Sequence, residues 1–433
     1  MVQRRKRFLL AIAAAAGLVA APAMAQLLPR GALPNLIPSL PRTLHNTTGF
    51  LDNSLRGTVA VVRDVAGRPA NPRAFENDNN GARVLRGEVL CLSPTEQSLA
   101  AARSRDFEVV RQETLAALGL QIAVLRAPSG MSATEALALL QRSDPSGHYD
   151  YNHIYNPSGE GRSATAKDTA PAGSVPAPRI GMIDGGIDRN HSALRHAAIE
   201  TMVVAGDSRA PATAHGTAVA SLLVGQASDF HGALVNTTLY AADVYGGVAT
   251  GGSAVDIARA LGWLASKDVP VSNISLAGPP NLILAAAVAA FVRSGHILVA
   301  AVGNDGPAAP ERYPAAYAGV VGVTSVDAQR AIQMDANRGA DVAFAARGVD
   351  VRAAKLAGGY TVLTGTSYAA PLVAARFAVL MPRPDPAAAA QAWATLKAAA
   401  IDLGPPGRDT IFGYGYLDPP TPMPVLATSD ASH

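Results

Sequence analysis

Three residues of this 433-residue chain could share one reaction among them: Asp184, His215 and Ser367. A serine hydroxyl is too weak an acid to attack a peptide carbonyl alone. An imidazole must take its proton, and a carboxylate must fix that imidazole's tautomer and balance its charge. The order Asp, His, Ser is one of three unrelated orders in which such a set occurs, here with spacings of 215 − 184 = 31 and 367 − 215 = 152 residues. A fourth group, Asn304 in Val302-Gly303-Asn304-Asp305-Gly306, follows an apolar run. Its amide could donate to the oxyanion that the attack creates, beside the backbone N–H of Ser367, an interaction worth about 3 kcal/mol in the transition state. Each residue alone has a plainer explanation. Asp184-Gly185 and Asn304-Asp305-Gly306 read as turns, His215 as a structural histidine at a helix start, and Ser367 as an N-cap with Pro371 in the first turn. Only the four together point to acyl transfer.

Such groups need a frame. From Arg179 onward, strand-like runs at residues 180–183, 238–244, 271–276, 297–302 and 320–326 alternate with helix-like segments. Those helices start near His215, Ser253, Asn281, Ser367 and Pro386. That alternation predicts an α/β, doubly wound, mostly parallel sheet with helices on both faces, whose reactive groups collect at the carboxyl ends of the strands. The apolar stretch 282–302 is long enough to suggest a membrane span, but Arg293-Ser294-Gly295-His296 interrupts it, so helix, turn and buried strand fit better. Upstream, residues 82–155 read as strand, helix, strand, strand, helix, strand, the order of a small ferredoxin-like α+β domain, with Ser132 and Glu135 spaced as a capping box. Residues 156–178, rich in Pro, Gly, Ser and Ala, read as a linker, 26–81 as a poorly ordered leader and 419–433 as a disordered tail.

The first 25 residues read as a signal peptide: Arg4-Arg5-Lys6-Arg7, an apolar run over 8–21, then Ala23-Met24-Ala25. Its removal takes four cations and no anion, so the formal charge falls from +3 to −1. The basic balance therefore belongs to the export signal, and nucleic-acid binding loses its electrostatic basis. The single cysteine, Cys91, excludes an internal disulfide and any zinc site built on paired cysteines. The chain is expected outside the cytoplasm, periplasmic or secreted, with no stable membrane anchor once the signal is gone.

From Arg179 to about Asp418 the chain resembles the subtilisin-family (subtilase) serine proteases. Ile183-Asp184-Gly185-Gly186 resembles the Asp motif, His215-Gly216-Thr217 the His motif, Gly365-Thr366-Ser367 through Pro371 the Ser motif, and Asn304 lies in the oxyanion-asparagine motif. Residues 273–278 resemble the strand whose backbone pairs with substrate, which implies substrate-binding roles for Ser275, Leu276, Ala277 and Gly278, and for Gly303 beside Asn304. Tyr313-Pro314-Ala315-Ala316-Tyr317 and Phe412-Gly413-Tyr414-Gly415 resemble further family stretches. The resemblance implies a serine endopeptidase that acts through an acyl-enzyme on protein or peptide substrates. It also implies that residues 82–155 are a propeptide, a folding helper and intramolecular inhibitor, with self-cleavage near Tyr155 or in the linker. Structural calcium is common in that family, yet no motif here places it. A monomer is expected.

Departures from the pattern are informative. Gly185 stands where the family usually has Ser or Thr, so one supporting hydroxyl is missing, and Tyr368, Ala370 and Leu372 replace the common Met, Ser and His. Ala277 replaces a common Gly and would narrow the first specificity pocket. Arg312, counted back from Tyr313-Pro314, falls near that pocket's floor, which suggests selection of an acidic or small residue before the scissile bond; a solvent-facing loop arginine is the plainer alternative. A sedolisin-type protease would use Glu as its base, and an α/β-hydrolase would need Gly-x-Ser-x-Gly. The competing reading from another class is a catalytically inactive or very slow peptide-binding protein on the same fold.

Overall fold

The computed structural model describes residues 72–158, 175–177, 179–206, 210–248 and 252–420. The signal peptide, most of the leader, the middle of the 156–178 segment and the tail beyond residue 420 lie outside the described residues.

The apolar strands of the sequence pair as they must when water reaches neither face. In the N-terminal part, β1 (Arg83–Leu92), β2 (Glu108–Leu115), β3 (Leu120–Arg126) and β4 (His148–His153) form an antiparallel sheet in the order β4-β1-β3-β2. Helix α1 (Glu96–Arg103) connects β1 to β2, and α2 (Ala133–Ser143) connects β3 to β4. The expected capping box at the start of α2 is present: Ser132 Oγ accepts from Glu135 N, and the Glu135 carboxylate accepts from Ser132 N. Side-chain alternation sends Val89, Cys91, Ala123 and Leu125 to this unit's own helices. It sends Leu90, Ile122 and Val124 the other way, into the core of the following domain. Part of the stretch expected as leader is also structured. Phe75–Asn77 pairs antiparallel with residues 83–85, an edge strand too short and too interrupted by Asn and Arg to register as a pattern.

The larger sheet has seven parallel strands: β5 (Arg179–Asp184), β6 (Ala198–Val203), β7 (Thr238–Asp243), β8 (Val271–Ile274), β9 (Ile297–Ala301), β10 (Val321–Val326) and β11 (Val342–Arg347). Their order is β11-β10-β9-β8-β5-β7-β6. Two of them escape a sequence reading, for physical reasons: β6 is an edge strand that exposes part of Glu200, and β11 is half alanine. On one face Ile180, Met182, Val299 and Val323 pack against α3 (Ala214–Val224) and α6 (Thr366–Ala378). On the other, Ile183, Ile274, Leu298 and Ala300 pack against α4 (Ala254–Ser266) and α5 (Leu282–Arg293). The stretch 282–302 is α5, a turn and β9, and no helix among the described residues is long and apolar enough to cross a membrane.

The N-terminal unit rests on α4 and α5. Leu115 sits where a Cβ on Gly262 of α4 would approach it to 3.2 Å, Glu113 pairs with Arg259 at 3.0 Å, and Asp150 accepts the Leu282 N–H at the start of α5 at 2.6 Å. The ends of the segment expected as linker are also paired. Asn156–Pro157 runs antiparallel to Leu276–Ala277, and Val175–Pro176 runs parallel to Leu234–Val235. A strand of Asn and Pro carries no apolar signal: Asn156 is exposed and Pro157 half-buried, and what makes them a strand is the backbone edge their partner offers.

Candidate active site

Asp184 is the last residue of β5, and His215 is the second residue of α3. Their approach depends on glycine. A Cβ on Gly216 would lie 2.3 Å from the Gly185 carbonyl oxygen, so α3 begins almost on top of the end of β5. Thr213 caps that helix through its hydroxyl, which accepts from Gly216 N at 3.0 Å. The His215 Nδ1–H donates to the Asp184 carboxylate with both oxygens at 2.9 Å, and Asp184 Oδ1 also accepts from Gly185 N at 2.7 Å. Asp184 has no solvent exposure. The arrangement fixes the histidine tautomer and leaves Nε2 as the basic nitrogen, a buried atom with no hydrogen-bond partner among the described residues. The space beside Gly185 is filled by Thr213, whose Oγ1 and Cγ2 would lie 2.5 and 2.7 Å from a Cβ there. That hydroxyl donates to Gly186 O at 3.2 Å.

Ser367 is the second residue of α6; Gly365 is the N-cap. Pro371, placed well inside the helix, has no N–H to give the Ser367 carbonyl, and the Ser275 hydroxyl donates to that carbonyl instead, at 3.0 Å. Asn273 Nδ2 in turn donates to Ser275 Oγ at 3.0 Å. The Ser367 backbone is therefore tied to the segment that follows β8. From the end of β9, Gly303 N donates to Thr366 Oγ1 at 3.3 Å, and Asn304 Oδ1 accepts from Thr366 N at 3.1 Å and from Gln333 Nε2 at 3.0 Å. Gly303 has φ +108, and a Cβ there would meet the Asn337 amide at 3.1 Å and Arg312 Cγ at 3.3 Å, so only glycine fits. Tyr368 covers the histidine ring, with centroids 5.8 Å apart, and burial raises its hydroxyl pKa, with the Asp184 charge adding to the effect. Burial likewise raises the carboxyl of Asp243, the next strand end over, again with a contribution from Asp184.

The cleft holds the chain's own residues 155–158. Leu276 pairs with Pro157, Ala277 with Asn156, and Ser158 N donates to Ser275 O at 3.0 Å. The Ser158 carbonyl oxygen accepts from Asn304 Nδ2 at 2.5 Å and from Ser367 Oγ. Tyr155 is wholly buried: its N–H donates to Gly252 O at 2.8 Å, its hydroxyl to Pro279 O at 2.7 Å, and its carbonyl accepts from Tyr245 Oη at 2.9 Å. A cavity of about 500 Å³ beside Ser158 is lined by Ala277, Gly278, Gly303, Asn304, Arg312 and Gln333, among others. Arg312 does reach this pocket, but its Nε and Nη2 both bind Asp305 Oδ2 at 2.7 Å, so its charge is already matched.

Sequence reasoning missed Ser158, Thr213, Tyr245 and Gln333 here. Each acts through a neighbour supplied by a distant segment, so none carries a local pattern. No cluster of three or more His, Cys, Asp or Glu side chains that could hold a metal ion exists among the described residues.

With this geometry in view, the Subtilase family model matches residues 177–415, more than half of the chain. The chain belongs to the subtilase family of serine-type endopeptidases. The subtilase is 31% identical over 242 residues to minor extracellular protease Epr of Bacillus subtilis, a match covering 55% of this chain and 37% of Epr. It is 30% identical to subtilisin DY of Bacillus licheniformis, covering 52% of this chain and 84% of that protein. With subtilisin Savinase of Lederbergia lenta it shares 31% identity, with 55% and 88% covered. Among solved structures, a mutant of the protease domain of PatA superposes with TM-score 0.51 at 25% identity, covering 57% of this subtilase and 94% of that chain. Fervidolysin from Fervidobacterium pennivorans shares the fold over 82% of this subtilase and 63% of its own chain, with TM-score 0.66 at 17% identity.

Proposed function

We propose that this subtilase is exported as the precursor of an active endopeptidase and cleaves itself after Ser158. The observation that carries this reading is the Ser158 carbonyl oxygen, held between Asn304 Nδ2 and Ser367 Oγ while Asn156–Pro157 pairs along the cleft. That seats the Ser158 carbonyl where a scissile one would lie, with the Ser367 hydroxyl needing to turn toward His215 Nε2 before attack.

In the proposed reaction, Ser367 Oγ swings its proton from the carbonyl to His215 Nε2 and adds to the Ser158 carbonyl carbon. The C=O pair moves onto oxygen, where Asn304 donates to it. Asp184 balances the imidazolium, which then passes its proton to the leaving amine of Gly159 as the C–N bond breaks. The resulting acyl ester joins Ser158 to Ser367, and a water deprotonated by His215 hydrolyses it. Residues 72–158, still filling the cleft and resting on α4 and α5, then act as an inhibitor held by non-covalent contacts. The seated Ser158 and the paired charge of Arg312 favour a small residue before the cut, selected by size rather than by charge. The leading residues 1–25 and the extracellular relative Epr support export to the periplasm or medium.

Expression of wild type beside Ser367→Ala tests the reading. Wild type yields a fragment with Gly159 at its N-terminus and labels with a fluorophosphonate once residues 72–158 have been separated from it, whereas the variant stays whole and unlabelled. A wild-type chain that neither processes nor labels leaves the inactive peptide-binding protein as the answer.

A further inference from the structure

The structure assigns Gln333 as the positioning residue of the oxyanion site, a role that rests on the protease reading above. Asn304 can stabilise an oxyanion only if its NH2, not its carbonyl, faces the substrate. The backbone N–H of Thr366 can only donate, so the Asn304 atom 3.1 Å from it is Oδ1. Gln333 supplies the second donor to that oxygen, at 3.0 Å, and leaves Nδ2 for the Ser158 carbonyl. The Thr366 N–H and the Ser158 carbonyl have fixed polarity, so a flipped Asn304 amide would face like against like at both, and Gln333 adds the second donor that holds Oδ1 on its side.

Gln333 is itself held for this contact. It is buried, its N–H donates to Ser325 O at 2.9 Å, and its own Oε1 has no partner among the described residues. A buried amide oxygen left unpaired is costly, and the contact with Asn304 is the return the structure shows for it. Gln333 follows β10, on a different part of the chain from Asn304 and from Ser367, so three separate segments converge on one carboxamide.

The test is the first-order rate of self-cleavage in the full-length precursor, read from the appearance of the new N-terminus at Gly159. The substrate is tethered, so binding does not enter the rate. Gln333→Met, which keeps the volume and removes the donor, is expected to slow cleavage about tenfold, the effect of one neutral hydrogen bond. In an Asn304→Ala precursor the same change is expected to alter the rate by less than about twofold, because the group it positions is gone. Gln333→Glu, near in shape but an acceptor when ionised, is expected to slow wild type at least as much as Met does. Thermal melting of each variant in a Ser367→Ala background shows whether it folds; if the Met form does not, the Glu form in both Asn304 backgrounds decides. An unchanged rate, or an equal loss with and without Asn304, overturns the role of Gln333 while leaving the protease reading intact. A wild-type precursor that never cleaves overturns the reading itself.

Discussion

Pro371 leaves the carbonyl of Ser367 without its helical donor, and the Ser275 hydroxyl, just before the strand that pairs with Asn156–Pro157, donates to it instead. A proline in mid-helix usually costs stability because it removes a hydrogen bond and crowds the preceding turn. Here the lost bond is replaced by one between two parts of the site. Ser275→Ala should therefore leave a buried carbonyl unpaired and destabilise the fold by about 1–3 kcal/mol. Thermal melting in a Ser367→Ala background measures this without self-cleavage; an unchanged melting point would falsify the anchoring argument.

Restoring the hydroxyl that relatives commonly carry after the aspartate should harm this subtilase. A Cβ at residue 185 meets Thr213 Oγ1 at 2.5 Å, so Gly185→Ser is expected to cost about 1–3 kcal/mol and to slow self-cleavage. In a Thr213→Ala background the same change should cost measurably less. Equal losses in both backgrounds, read by chemical denaturation, would show that the two residues do not share the space.

With the proposed cut after Ser158, Tyr155 predicts a preference upstream of the cleaved bond. Its ring is fully buried and its hydroxyl is hydrogen-bonded to Pro279 O. Peptides with Tyr as the fourth residue back from the cleaved bond, as in Tyr155-Asn156-Pro157-Ser158, should be cleaved about 100-fold more efficiently than those with Ala, from about 2–3 kcal/mol of burial. A cleavage library with no preference at that position counts against the pose of residues 155–158 as a guide to substrate.

His296, at the turn between α5 and β9, stacks on Phe291 with centroids 4.3 Å apart, and burial lowers its pKa from 6.5 to about 4. Between those values the unfolded chain binds the proton and the folded chain does not, so stability rises with pH through this window and is lost as pH falls through it. The effect amounts to about 3 kcal/mol once pH is below 4. Melting of Ser367→Ala between pH 4 and 7 should show this slope, and adding His296→Gln should flatten it.

Much of this architecture is legible without coordinates, because parallel strands buried on both faces must be apolar and helix starts carry their own caps. Residues 297–301 and 321–326 announce themselves in that way, as do the caps Ser253 and Asn281. Strand β11 does not, since alanine fits either element and the neighbouring strand decides. Asn156–Pro157 is the extreme case: its sequence is that of a turn, and it is a strand only because Leu276–Ala277 offers it an edge.

The sequence by itself determined which groups could do the chemistry and in what order they occur, since nucleophile, base, carboxylate and oxyanion donor are matters of residue type and of strand ends. Only the tertiary structure decided what holds them: Thr213 in the space beside Gly185, Gln333 on the Asn304 carbonyl, Ser275 on the Ser367 carbonyl, and the Ser158 carbonyl between Asn304 and Ser367. Those contacts join residues from 28 to 209 positions apart, and hydrogen bonds and close packing act through ångströms of space, which spacing along a chain does not encode.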